Sequence, residues 1–156
     1  MSMSASQVKI LRLAGGEKTT NADNNPKKIY EEIKVIAEQV DEKECPWSNG
    51  EYRPHWKITL IYRGHKRTFD FWNNTENKKP TKAELLDCLV GDAVLYIESN
   101  GDIDEIAKTL GIQSIKEASR VYNGCRKTYK KLSTLLCVSN DTLIEIANIA
   151  AHGLVS

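Results

Sequence analysis

At 156 residues, 40% apolar and 28% charged, the chain is long enough to bury roughly two thirds of its unfolded surface in one domain, and its composition excludes a disordered chain. Its 22 basic and 21 acidic side chains leave a net charge of +1, which excludes a global pull towards nucleic acid or membranes and leaves only local segregation of charge to carry an electrostatic function. No apolar run reaches the roughly 18 residues of a membrane span, the start Met1-Ser2-Met3-Ser4 lacks a signal-peptide core, and Cys45, Cys88, Cys125 and Cys137 form no C-x-x-C pair, so a cytoplasmic setting with buried free thiols at Cys88 and Cys125 is expected.

Residues 7–13, Gln-Val-Lys-Ile-Leu-Arg-Leu, read as a short strand and Gly15 to Pro26 as a polar loop, making residues 1–25 a flexible N-terminal segment and 26–156 a single domain. From Pro26 the apolar residues Ile29, Ile33, Ile36 and Val40 recur at helical spacing, which predicts an amphipathic helix of about four turns ending near Asp41. Pro46 and Asn49-Gly50 then mark a turn-rich connection. Trp56, Ile58, Leu60 and Tyr62 alternate with Lys57, Thr59, Ile61 and Arg63. After a turn at Gly64, Phe69 and Phe71 alternate with Thr68 and Asp70, so a hairpin with one aromatic and aliphatic face is expected. Such a hairpin is unstable alone and must pack on helices or pair with another strand.

Everything after the loop Asn73 to Pro80 reads as helix. Thr81 and Glu84 form a capping box for a helix with Leu85, Leu86, Leu89, Val90, Ala93 and Ile97 on its apolar face, stopped by Ser99-Asn100-Gly101. Asp102 opens a short helix that Gly111 ends, a long helix runs from Ser114 to about Leu136, and a last one from Asn140 or Asp141 to His152. The expected class is α+β, a hairpin or small antiparallel sheet packed against four to five helices.

Chemistry-bearing residues are sparse. His55, His65 and His152 lack the spacings that let one element present two metal ligands, and no phosphate-cradling or nucleophile motif occurs, so no metal, cofactor or catalytic residue is assigned. Asp70 and Glu76 lie near His55 in the sequence but read as solvated charges of the hairpin and its loop.

The long helix is more informative. At 100° per residue, Ala118, Val121, Tyr122, Cys125, Tyr129, Leu132 and Leu136 fall on one side, and Lys116, Arg120, Lys127, Lys130 and Lys131 fall opposite with no acidic residue among them. This basic stripe, about 22 Å long at 1.5 Å per residue, is the candidate docking face, joined by Lys57, Arg63, Lys66 and Arg67 of the hairpin. The apolar loops around Trp47 and Trp72 are the alternative surface.

Two resemblances bear on function. Asp104 to Ile112 followed by Ala118 to Gly124 resembles the helix-turn-helix of lac-repressor-type regulators, over residues 102–124. The apolar residue that should lie six places after the turn glycine is Glu117 here, with Ala118 one place late. An extra turn residue would rotate the recognition helix by about 100°. More of the chain, from Trp47 to Leu136, is similar to a widespread family of small phage and prophage proteins. The resemblance is carried by His55-Trp56-Lys57-Ile58-Thr59-Leu60, by Arg67 to Trp72, and by Pro80-Thr81 with Leu86-Asp87-Cys88-Leu89-Val90-Gly91-Asp92-Ala93. Leu110 to Ser114 and Ala118 to Tyr122 occupy the places of that family's turn and long helix, with Ile112-Gln113 where relatives carry Tyr-Asp. The resemblance implies a phage or mobile-element origin and no catalytic residue. By analogy of setting, it leads us to expect a stoichiometric inhibitor of a nucleic-acid-targeting host defence, of anti-CRISPR type. Its partner would be a defence protein or protein–nucleic acid complex; the alternative is a regulator that binds nucleic acid directly.

Overall fold

The computed structural model describes residues 25–44, 51–72 and 78–152. The strand expected over residues 7–13, like Cys45, Trp47, Glu76 and Gly153, lies outside these. The order is α1 (Pro26–Glu32), β1 (Lys34–Glu44), β2 (Tyr52–Tyr62), β3 (His65–Trp72), α2 (Lys82–Glu98), α3 (Ile103–Leu110), α4 (Ile115–Leu136) and α5 (Asn140–His152). This is an α+β fold with a helical C-terminal half, and its antiparallel sheet is ordered β1-β2-β3.

The four-turn helix expected from Pro26 is corrected. Asn25 caps α1 by accepting hydrogen bonds at Oδ1 from the amides of Lys27 and Lys28, at 3.0 and 3.3 Å. Ile33 is already extended, with φ −68° and ψ 121°, and the chain continues as β1. The helical spacing of Ile36 and Val40 coexists with a second pattern, Val35 and Ala37 two apart, and it is this one that the fold uses. In the register Val35 faces Leu60 and Ala37 faces Ile58, while Ile36 points the other way and is 37% exposed. Pairing along a neighbouring strand, which β-branched Val35, Ile36 and Val40 favour, outweighs a helical periodicity read in isolation.

The hairpin forms as its alternation predicts. Arg63 and Gly64, at φ 47° and 82°, make the two-residue turn whose twist suits paired strands. A left-handed arginine is strained. Here it is held by an ion pair from Nε to Glu32 Oε2 at 3.0 Å and by its guanidinium lying 4.9 Å over the Tyr62 ring. Trp56, Ile58, Leu60, Tyr62 and Phe69 turn inward and join Leu86, Val90, Leu132 and Ile146 in the main core.

The helices start and stop where their caps require. Thr81 Oγ1 accepts the Glu84 amide at 3.2 Å and donates to the Glu84 carboxylate at 2.9 Å. After α2 the chain reverses through Asn100 and Gly101, at φ 52° and 71°. A Cβ on Gly101 would lie 3.1 Å from the Tyr96 hydroxyl, so the glycine serves both the turn and the ring. Gly111, at φ 67°, ends α3.

One expectation about α2 is corrected: Cys125 is buried but Cys88 is exposed. α2 buries two faces, one in the main core and one through Leu95, which packs with Ile106 and Cys125. Cys88 shares that second face at its open end, two turns before Leu95. On α5, Asn148 is 8% exposed and neither amide atom has a hydrogen-bond partner. Such a group costs about 1–3 kcal/mol. Asn148→Leu is therefore expected to raise the urea midpoint by the equivalent of about 1–3 kcal/mol; a lowered midpoint would show that the amide is bonded in solution.

Candidate interaction surface

α4 positions the basic stripe. Ser114 caps it by accepting the Glu117 amide at 3.4 Å, and the helix continues through Asn123-Gly124 to Leu136, because Ala118, Cys125, Leu132, Leu135 and Leu136 bury a continuous stripe. Lys116, Arg120, Lys127, Lys130 and Lys131 are exposed. With the opposite side of the helix fixed in the core, these five side chains are displayed from a rigid rod rather than from a loop.

Each flank of this face is anchored. On one side Lys131 Nζ sits 5.0 Å over the Phe69 ring of β3. On the other, Tyr96 of α2 stacks on Tyr129 at 5.3 Å and meets Tyr122 at 5.8 Å. Arg67 and Phe69 are two apart on β3 and share the inner face of the sheet, the face that meets α4 at Lys131. The remaining hairpin cations are placed elsewhere. Lys57 and Lys66 are exposed on the outer face, Lys57 between Glu38 and Asp70 in the register, and Arg63 is engaged at the turn by Glu32.

The outer face also holds an arrangement that sequence reasoning missed. His55 is 6% exposed, its Nε2 lies 2.8 Å from Asp70 Oδ1, and Trp72 stacks on its ring at 4.7 Å. Asp70 is thus the partner of a covered imidazole rather than a solitary solvated charge. The signal was in the turn: once Arg63 and Gly64 are fixed as the loop, His55 must face Trp72 and Lys57 must face Asp70. The pair clamps the far ends of β2 and β3 together.

A second polar group, half-buried, lies where α2 meets α4. Burial, and then the neighbouring Asp87 carboxylate, push Asp92 up to about 7 from an ordinary 3.8. Burial, and then Asp92 itself, raise the thiol of Cys125 on α4. Among the described residues no group of three or more His, Cys, Asp or Glu side chains is placed to hold a metal ion. No described helix is long and apolar enough to cross a membrane.

The helix-turn-helix segment folds as two helices around left-handed Gly111, with Ala118 at 4% exposure and Glu117 exposed. The buried residue is thus the one that sits a place late. Comparison of the chain with protein-family models, curated proteins and solved structures gives no match.

Proposed function

We propose that this protein is a non-catalytic binder which disables a nucleic-acid-targeting host defence system by occupancy, with the basic face of α4 as its docking surface. The observation that carries this reading is the display of Lys116, Arg120, Lys127, Lys130 and Lys131, all exposed, along one side of a helix whose other side is core. Structural surface helices usually intersperse both signs of charge for pairing one turn apart, whereas a uniform row suits a fixed negative surface. The resemblance to small phage and prophage proteins supplies the defence setting. A pull-down from host cells with the full chain as bait tests it. The expected catch is a defence effector or restriction subunit, and replication proteins alone would overturn the reading.

A second reading, a nucleic-acid-binding regulator, is favoured by the α3–Gly111–α4 unit and by Ile115, 83% exposed at the head of α4. It requires strong discrimination between operator and arbitrary sequences.

A further inference from the structure

We infer that the surface contacted by α4 is a nucleic-acid sugar–phosphate backbone, bound without regard to sequence, rather than an acidic protein groove. This deepens the occupancy reading by naming what its docking face touches. The first argument is the chemistry of the cations. Four of the five are lysine. Protein interfaces are depleted in lysine and enriched in arginine and aromatic residues, because a buried contact favours planar groups that shed water readily. Lysine is a strongly hydrated point charge and meets phosphate oxygens without needing a fixed fork of donors.

The second argument is what accompanies them. Protein interfaces draw most of their affinity from a few desolvated aromatic, arginine or apolar anchors. Between Lys116 and Lys131 the exposed non-basic residues are Glu117 at the margin and Asn123. The large exposed apolar residues among those described are Ile36 and Ile115, on β1 and at the helix tip. A surface rich in charge and poor in anchors suits a polyelectrolyte, whose affinity comes from released counterions instead.

Length is the third argument. From Lys116 to Lys131 the stripe spans about 22 Å, over which one strand of a duplex presents about six phosphates at 3.4 Å each. The five cations can therefore each find a phosphate. The Lys131–Phe69 contact and the Tyr96–Tyr129 stack hold the helix between β3 and α2, so little order has to be gained on binding. Arg67 is on the same face of β3 as Phe69. Lys57 and Lys66, on the other side of the sheet, are outside the surface.

The test is a salt titration of the full chain against a fluorescent DNA duplex of arbitrary sequence. A plot of log K against log salt should fall with a slope of up to about −4.5 for five contacts. Neutralising Arg120→Gln, Lys127→Gln and Lys131→Gln together should flatten the slope by about 2.7 and weaken low-salt binding at least tenfold. Because Lys131 also contacts Phe69, a second variant, Lys116→Gln, Lys127→Gln and Lys130→Gln, should do the same with circular dichroism unchanged. Lys57→Gln with Lys66→Gln should leave both slope and affinity intact. No binding at low salt, an equal loss in the Lys57 and Lys66 control, or a preference for one sequence above about a thousandfold would each overturn the inference. Capture of a defence effector that survives nuclease treatment, from a protein that binds no duplex, would overturn it while leaving the occupancy reading standing. Duplex binding with no effector recovered would do the reverse.

Discussion

Replacing Asp92 with Asn should leave stability nearly unchanged around pH 4 and raise it by about 3 kcal/mol at pH 8. The folded protein holds this carboxyl's proton up to about pH 7, whereas the unfolded chain releases it near the ordinary 3.8. Below about pH 4 both states are protonated and the group contributes nothing. Between those two values the folded state binds the extra proton, so stability falls as pH rises, and above about 7 the full penalty is present. The full shift corresponds to about 4 kcal/mol at 1.36 kcal/mol per pH unit, and the water that reaches this half-buried side chain lowers the expectation to about 3. Asn keeps the shape and removes the charge. Thermal melts of both proteins should therefore differ by roughly 6–12 °C at pH 8 and converge towards pH 4. A difference that did not change with pH would mean that Asp92 is ionised throughout, with a cation or water compensating it.

Trp56→Ala should cost about 3–5 kcal/mol, because the ring is 6% exposed within the main core and its removal leaves a large cavity. Trp56→Phe should cost far less. The indole Nε1 has no hydrogen-bond partner, and deleting that buried donor recovers about 1–3 kcal/mol against the volume lost. Urea denaturation of the two variants makes the comparison directly. If the alanine variant instead melts like the parent and only binding suffers, the ring is a recognition surface and not a core anchor.

The sequence announced those elements whose signals are local. Thr81 with Glu84, Asp102 with Gly111, and the alternation from Trp56 to Phe71 each involve residues a few places apart, and each formed where expected. β1 was misread because its partner, β2, is distant in sequence: nothing between Lys34 and Glu44 says that Val35 will meet Leu60. The exposure of Cys88 was hidden for a related reason, since α2 has two buried faces and one helical pattern suggests only one. At the candidate surface the phase of α4 was legible, but the separation of Arg67 from Lys57 and Lys66 is a matter of odd and even positions along β2 and β3. The His55–Asp70 contact needed the turn, the register and the alternation together.

The position of β1 at the rim of the described sheet matters for how copies of the chain meet one another. A strand of eleven residues at an edge offers its outward amides and carbonyls as a template for further strands, the route by which folded proteins stack into fibres. Here the ladder slips between Val40 and Lys43, and Lys34, Glu38 and Asp41 are exposed along the strand. An irregular, charged rim fits a like strand poorly. Replacing Glu38 and Asp41 by uncharged residues would strip away part of that protection, so association along this edge depends on the charge of the rim, whatever the strength of the core beneath it.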